Sequence, residues 1–196
     1  MYWQKTLRAE IIALAQIESS IAPQVEQAIH ILSSGDGKVV VTGMGKAGLI
    51  GQKVSATMRS TGRPSSFLDP AQALHGDMGM IARRDVLLAF SNSGKTDDVV
   101  AVMRYCRDLE VPCVTITGSH LSPMGKLADC SLAYHCADEG CPIGHAPMAS
   151  AICMLAIGDA LAAEMMGRAG FTSADFLRLH HGGYLGNKVR ELVDSN

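Results

Sequence analysis

The chain has 196 residues and a formal net charge of −2 at pH 7, with 47% hydrophobic and only 5% aromatic residues. This length predicts one domain with a substantial core. The near-neutral charge, without a basic block or interleaved aromatic and basic residues, argues against a nucleic-acid-binding surface.

Apolar residues recur at three- and four-residue steps through the first 33 residues, which predicts one long amphipathic helix over 1–33 that Pro23 can break. Strands and helices then alternate. Buried or half-buried strands are predicted at 38–42, 65–68, 86–91, 111–117 and 131–135. Helices are predicted at 46–60, from 69, and at 97–109, 124–128, 147–167 and 173–179.

This alternation is typical of right-handed βαβ units and a mostly parallel sheet. We therefore predict an α/β fold: a three-layer αβα sandwich around a five-stranded sheet, forming one domain over 1–196. The long first helix would pack on this core or on a neighbouring subunit. In such sheets, ligands bind beyond the carboxyl ends of the strands.

The most informative stretch is Ser91-Asn-Ser-Gly-Lys-Thr96, which follows the buried strand at 86–91. Hydroxyls of Ser91, Ser93 and Thr96, the flexible Gly94 and the first N–H groups of the next helix predict a site for a phosphate. Asn92 and Lys95 belong to the same loop. The alternative is that these residues only cap a helix. A second glycine-rich junction, 43–48, favours the phosphate site.

That second junction, Gly43-x-Gly45-x-x-Gly48, also fits the dinucleotide-binding fingerprint, with Asp69 at about the position of the ribose-binding acid. Against this alternative, Lys46 follows the second glycine, and the serine-rich loop has no role in a dinucleotide site. A Walker A loop is excluded, because its first glycine would fall at Ala89.

The six cysteines contain no CxxC pair, and we expect reduced thiols in a cytoplasmic protein. A zinc site at His135, Cys136, Cys141 and His145 is disfavoured, because adjacent residues 135 and 136 point to opposite faces of a strand. Charges near the N-terminus argue against a signal peptide. No run approaches the ~18 uninterrupted apolar residues of a membrane span, so we expect no membrane partner.

Several motifs together resemble the sugar-isomerase (SIS) domain family, and within it the D-arabinose-5-phosphate isomerases of 3-deoxy-manno-octulosonate biosynthesis. They run from about residue 38 to 186: Val41-Thr-Gly-Met-Gly-Lys46, Leu74-His-Gly-Asp-Met-Gly-Met80, Ser91-Asn-Ser-Gly94, Cys141-Pro-Ile-Gly144 with Ala146-Pro147, Gly170-Phe-Thr-Ser-Ala-Asp-Phe176 and Leu179-His-His-Gly-Gly-Tyr-Leu-Gly186. The resemblance implies a flavodoxin-like fold and a phosphosugar held at 91–96, with Gly45 close to the substrate.

The resemblance also implies an aldose–ketose isomerase that interconverts D-arabinose 5-phosphate and D-ribulose 5-phosphate through an enediolate, without metal or organic cofactor. It assigns active-site roles to Lys46, His75, Glu139 and His180. We expect His180 to be the base, assisted by Glu139. Lys46 would stabilise charge on the substrate oxygens, and His75 would contact hydroxyls or assist ring opening. Family members are commonly homotetramers with sites completed by a neighbouring subunit.

Three departures from the family pattern stand out. Longer relatives continue into two CBS domains, whereas this sequence stops at Asn196. Lys95 replaces the usual Glu after Ser-Gly, and His181 replaces the Pro after the candidate base. Two alternatives therefore stay open: isomerisation of another sugar phosphate, and a non-catalytic phosphosugar sensor.

Overall fold

The computed structural model describes residues 1–182, 184, 186–187 and 189–190. The strands are β1 (Val39–Gly43), β2 (Ser65–Leu68), β3 (Val86–Ser91), β4 (Cys113–Thr117) and β5 (Cys130–Ala133). The helices are α1 (Tyr2–Ser33), α2 (Lys46–Ser60), α3 (Pro70–Ala73), α4 (Asp97–Asp108), α5 (Pro123–Leu127), α6 (Ala149–Arg168) and α7 (Ser173–Leu179), with a 3₁₀ turn at Asp77–Met80. Positions 183, 185, 188 and 191–196 of the predicted domain and tail motif lie outside the described residues.

The five strands form one sheet in the order β2-β1-β3-β4-β5, and every neighbouring pair is parallel. The predicted α/β fold and its five-stranded sheet are thus confirmed. β4 starts two residues later than predicted, after Pro112, and β5 ends two residues earlier, at the edge of the sheet. Pro112 still contributes its carbonyl, which accepts a hydrogen bond from the backbone of Leu87 at 2.9 Å.

Alternating strand residues fill two separate cores, one on each face of the sheet. Val39 and Val41 pack with α1, α2 and α6, whereas Val40 packs with α4 and α5. The sheet is therefore covered on both faces, as its continuous apolar strands require. This arrangement is the predicted three-layer sandwich.

Helix α1 is continuous through Pro23, so the predicted long helix forms without the break that the proline allows. Pro23 lies on the exposed side, and the carbonyl of Ser19, which loses its intrahelical N–H partner, is also on an exposed residue. The opposite face of α1 is held against α6 and the sheet by buried side chains that include Ile17, Ile29 and Leu32. The packing of α1 on both sides of Pro23 therefore stabilises the helix by more than the lost hydrogen bond destabilises it.

Helix α6 combines the length of a membrane span with a mean hydropathy of 1.5 over an 18-residue window. Half of that window is buried inside the protein, where Cys153, Ile157 and Leu161 pack between α1 and α2. Such burial is typical of a core helix.

The order of strand addition reverses between the neighbouring strands β1 and β3. The chain adds β2 on one side of β1, and then β3, β4 and β5 in turn on the other side. From β1 the chain leads to α2 on one face, and from β3 to α4 on the other. This switch point opens a crevice beyond the carboxyl ends of the two strands. The glycine-rich junction and the serine-rich loop both lie at this crevice.

Candidate active site

Three hydroxyls converge in the phosphate loop, which we define as residues 91–96. Ser91 Oγ lies 3.0 Å from Thr96 Oγ1 and 3.4 Å from Ser93 Oγ. The backbone N–H of Gly94 donates to Ser91 Oγ at 3.1 Å, and that of Lys95 donates to Ser93 Oγ at 3.2 Å. Thr96 is the N-cap of α4, so the positive end of that helix faces the same point. The loop is a cluster of donors suited to an anion.

Gly94 is the residue of this loop that packs against the start of α5. Its φ of +62° lies in the left-handed region, and a Cβ added there would lie 2.1 Å from Ser122 Oγ. Its carbonyl accepts a hydrogen bond from the backbone of Met124 in α5 at 3.1 Å. Only glycine allows the phosphate loop to pack this closely on the start of α5.

Thr117, the last residue of β4, lies directly beside the phosphate loop. Its Oγ1 is 2.8 Å from the position that a Cβ on Gly94 would take. This hydroxyl is buried and has no hydrogen-bond partner among the described residues. Neither Thr117 nor Ser122 is among the residues predicted for the site, although each ends or follows a predicted strand on the ligand-binding edge.

A cleft of about 500 Å³ opens next to the phosphate loop. Its wall combines three residues of the loop with the segment between β4 and α5 and with the residues after β5. The lining residues are Asn92, Ser93, Lys95, Gly118, Ser119, Leu121, Ser122, Pro123, His135 and Cys136. Three predicted substrate-binding residues therefore share one cavity, whereas Lys46, His75, Glu139 and His180 do not line it.

Asn92 is held in place by two hydrogen bonds from other parts of the fold. The buried hydroxyl of Tyr134 donates to Asn92 Oδ1 at 2.8 Å. The backbone carbonyl of Asn92 accepts a hydrogen bond from the backbone of Gly118 at 2.9 Å. No sequence pattern indicates the contact with Tyr134, because the two residues are 42 positions apart.

Lys46 is the first residue of α2, at the carboxyl end of β1. Its side chain is exposed, and a cation at a helix N-terminus is unfavourable unless an anion lies nearby. The preceding Gly45 has a φ of +60°, and apart from its two chain neighbours no residue of the described chain has an atom within 4 Å of a Cβ placed there. Gly45 therefore serves the turn and leaves open space in front of Lys46.

The dinucleotide alternative receives no support from Asp69. The carboxylate of Asp69 accepts a hydrogen bond from the backbone of Ala71 at 2.9 Å and so caps α3. Gly48 is explained by packing, because a Cβ there would lie 2.5 Å from the carbonyl oxygen of Gly43. The glycine spacing thus reflects a tight strand-to-helix turn.

His75 lies between α3 and the 3₁₀ turn, beyond the carboxyl end of β2. Its ring is exposed, and its backbone N–H donates to the carbonyl of Gln72 at 2.9 Å. β2 neighbours β1, so His75 and Lys46 follow adjacent strands on the same edge of the sheet. Neither side chain has a hydrogen-bond partner among the described residues.

Glu139 anchors the start of α6. Its Oε2 accepts hydrogen bonds from the backbones of Met148 and Ser150, both at 2.9 Å. The next residue, Gly140, packs against α1, and its carbonyl accepts a hydrogen bond from Thr6 Oγ1 at 2.8 Å. Helix capping is therefore one role of Glu139, and Oε1 takes no hydrogen bond from the described part of the chain.

His180 ends α7, whose residues are all partly or fully exposed. Its ring stacks on Phe176 with centroids 3.7 Å apart, and its Nδ1 lies 2.9 Å from the carbonyl oxygen of Phe176. A proton on Nδ1 would leave Nε2 as the acceptor, the form that a base requires. Within the described part of the chain, no hydrogen bond or shared cavity joins His180 to the phosphate loop or to Lys46.

Over the described positions, no three His, Cys, Asp or Glu side chains are grouped closely enough to hold a metal ion. The cysteines of the disfavoured zinc site differ in environment: burial raises the pKa of Cys136, whereas the backbone N–H of Ala146 and its neighbours lower that of Cys141. All six cysteines are free thiols.

Comparison with known proteins identifies relatives that span nearly the whole chain. Arabinose 5-phosphate isomerase KdsD of Pseudomonas aeruginosa is 41% identical over 186 residues, which are 95% of this chain and 57% of that protein. KdsD of Escherichia coli K12 is 42% identical over the same shares. The chain therefore spans little more than half the length of these curated relatives.

Among solved structures, the E. coli CFT073 protein c3406 in complex with arabinose 5-phosphate has a TM-score of 0.86 at 35% identity. The match covers 91% of this chain and 95% of that one. The sugar isomerase domain of an RpiR transcription factor from Sphaerobacter thermophilus shares the fold, with a TM-score of 0.75 at 21% identity over 97% of each chain. The SIS domain model matches residues 31–164, more than half of the chain. The chain belongs to the SIS domain family.

Proposed function

We propose that this protein is an aldose–ketose isomerase that interconverts D-arabinose 5-phosphate and D-ribulose 5-phosphate. The phosphate loop carries the proposal, because its hydroxyls and backbone donors converge at the switch point of the sheet. Similarity to proteins named arabinose 5-phosphate isomerase, and to a structure in complex with arabinose 5-phosphate, supports this choice of substrate.

The phosphate of the substrate would bind to the phosphate loop. Ser91, Ser93 and Thr96 would donate hydroxyl hydrogen bonds, and the N-terminus of α4 would favour the negative charge. Binding at the phosphate is equal in the ground state and the transition state. It therefore supplies affinity and orientation, and the rate enhancement must come from groups at C1 and C2.

Isomerisation moves one proton between two carbons. A base removes the proton from C2 of the open-chain aldose and leaves an enediolate with its charge on O1. Return of a proton to C1 and transfer of the O2 proton to O1 give the ketose. We assign the base to His180, with Nε2 as the accepting atom, because Nδ1 faces the carbonyl of Phe176.

Three further groups would assist this transfer. Lys46, exposed at the start of α2, would stabilise the enediolate oxygens. Glu139 would orient the base or the substrate through Oε1, the carboxylate oxygen that does not cap α6. His75 would contact hydroxyls or assist ring opening. The chemistry requires no metal or organic cofactor.

The proposed site needs a second subunit. α7 carries His180 while its residues stay partly or fully exposed, and exposed apolar side chains cover the first half of α1, including Trp3, Leu7, Ile11 and Ile12. A homotetramer in which one subunit supplies His180 to the site of another would cover apolar surface and complete the machinery. We further propose a cytoplasmic enzyme of 3-deoxy-manno-octulosonate biosynthesis, without membrane or nucleic-acid partners.

Mixing two inactive variants tests the shared site. His180→Ala and Lys46→Ala should each lose turnover of D-arabinose 5-phosphate by about 10²-fold or more. If sites are shared, subunit exchange between the two variants restores activity, because some mixed sites contain both residues. His181→Ala, at the exposed neighbouring position, is the matched control and should keep its turnover. A mixture that stays inactive after exchange contradicts the shared site.

Lys95 favours a second candidate, isomerisation of another sugar phosphate. It stands where the resemblance leads us to expect Glu, and it lines the cleft beside the phosphate loop. A cation here would suit a substrate with more negative charge than a pentose phosphate. Turnover measured over a panel of sugar phosphates separates the two candidates by their kcat/KM values.

A further inference from the structure

The hydroxyl of Tyr134 connects two parts of the site that are distant in sequence. Tyr134 follows β5 and is only 2% exposed. Its hydroxyl donates to Asn92 Oδ1 in the phosphate loop at 2.8 Å and lies 3.3 Å from the carbonyl oxygen of Ser150 in α6. The same residue, Ser150, donates its backbone N–H to Glu139. Tyr134 therefore joins the phosphate loop to the helix start that holds Glu139.

This hydroxyl is a permanent donor. Burial, reinforced by the charges of nearby groups, raises the pKa of Tyr134 far above its ordinary value, so the phenol keeps its proton at any physiological pH. A proton donated to Oδ1 fixes which end of the Asn92 amide faces Tyr134. The amide nitrogen Nδ2 must then point away from Tyr134.

Asn92 lines the cleft and is exposed there. Its backbone carbonyl is also held by Gly118, so the loop cannot turn freely to choose another orientation. Nδ2 has no partner among the described residues, which leaves both of its N–H groups for a bound anion. An amide that flipped would present an oxygen to that anion and repel it.

We propose that Tyr134 is a positioning residue for phosphate recognition: its hydroxyl fixes the Asn92 amide so that Nδ2 donates to the phosphate of the substrate. The proposal rests on the proposed function for the identity of that ligand. Tyr134 itself does not touch the substrate and acts through Asn92.

A double-mutant cycle tests the proposal, with inorganic phosphate as the probe and calorimetry as the binding measurement. Tyr134→Phe removes only the hydroxyl and should weaken phosphate binding by about three- to tenfold, the loss of one oriented hydrogen bond. In the Asn92→Ala background, the same substitution should change affinity by less than about twofold, since the amide is already absent. Tyr105→Phe, at a half-buried tyrosine on α4, is the control.

Steady-state kinetics with D-arabinose 5-phosphate give a second readout. Tyr134→Phe should raise KM and leave kcat within about twofold, because the phosphate contact is uniform along the reaction. If the phosphate affinities follow the expected cycle while neither wild type nor any variant turns over D-arabinose 5-phosphate, that result would support the role of Tyr134 and contradict the proposed reaction. The role of Tyr134 would be overturned if Tyr134→Phe leaves phosphate affinity unchanged. It would also be overturned if this substitution lowers phosphate affinity equally in the wild-type and Asn92→Ala backgrounds.

Discussion

Gly94 and Ser122 pack so closely that a Cβ atom on Gly94 would lie 2.1 Å from Ser122 Oγ and 2.5 Å from Ser122 Cβ. Ser122 is itself fixed, because its Oγ accepts a hydrogen bond from the backbone of Gly125 and caps α5. The phosphate loop therefore has its shape because α5 begins directly behind it. Neither element can change without the other.

Gly94→Ala should disrupt both stability and binding. The left-handed backbone and the clash with Ser122 should lower the free energy of unfolding by about 2 kcal/mol or more, and sugar phosphate should no longer raise the melting temperature. Gly167→Ala is the control, because Gly167 lies in α6 and, apart from its chain neighbours and the nearby backbone of its own helix, no described atom lies within 4 Å of the added Cβ. It should stabilise by about 0.5–1 kcal/mol. A Gly94→Ala protein that binds as well as wild type contradicts this account of the loop.

Two substitutions of Glu139 separate helix capping from catalysis. Glu139→Gln keeps an oxygen for the N–H groups of Met148 and Ser150 and loses only the charge, so it should cost at most about 1 kcal/mol of stability. Glu139→Ala loses the cap as well and should cost about 2 kcal/mol. Urea unfolding measures both values.

Both Glu139 variants should lose turnover by about 10²-fold, because the negative charge is what the chemistry needs. If Glu139→Gln keeps the kcat of the wild type, Glu139 is only a helix cap. The comparison is decisive because the glutamine variant should keep the fold close to native.

Lys95→Glu tests the charge beside the phosphate loop. If D-arabinose 5-phosphate is the substrate, reversing this charge should raise its KM about thirtyfold. A unit charge about 4 Å from another contributes about 1 kcal/mol in water, and the reversal replaces an attraction of that size with a repulsion of that size. The effect should shrink with added salt. Lys126→Glu, on α5 outside the cleft, should leave KM unchanged. A sharp rise in turnover of Lys95→Glu would instead indicate that the natural substrate is a different sugar phosphate.

Asp85 should make folding sensitive to acid. Its burial alone would raise its pKa, but hydrogen bonds from Lys38 Nζ and from the backbones of Ala82 and Lys38 outweigh burial and hold the pKa below its ordinary value of 3.8. A lowered pKa contributes stability above the unfolded-state value, and this contribution is lost as the pH falls through the folded-state value.

Asp85→Asn should therefore lower the free energy of unfolding by about 2–4 kcal/mol at neutral pH. The difference in free energy of unfolding between this variant and wild type should become smaller in acid. Urea unfolding at neutral pH and again about one unit below pH 3.8 measures both values. Asp108→Asn, at an exposed position at the end of α4, is the control and should have the same free energy of unfolding as wild type at both pH values. A difference that does not change with pH would rule out this role of Asp85.

The sheet could be predicted from the sequence because its strands are short apolar runs separated by helical repeats. The convergence of the hydroxyls of Ser91, Ser93 and Thr96 could be predicted because these residues and Gly94 are local in sequence. The position of Pro23 within a continuous helix could not be predicted, since tertiary packing along α1 decides it.

Contacts between segments that are distant in sequence could not be predicted either. The bond between Tyr134 and Asn92, the capping of α6 by Glu139 and the packing of Thr6 on Gly140 each depend on how the loops meet at the carboxyl edge of the sheet. The sequence suggested Glu139 only through family resemblance. Its hydrogen bonds to α6 add a structural role that no motif indicates.

The most direct test of the proposed function is isomerisation of D-arabinose 5-phosphate by the purified protein after treatment with EDTA. We expect D-ribulose 5-phosphate to form at about 1 s⁻¹ or faster, with no gain when divalent metals are restored. Absence of turnover, while D-arabinose 5-phosphate still raises the melting temperature, would contradict the isomerase assignment and indicate a sensor or a different substrate.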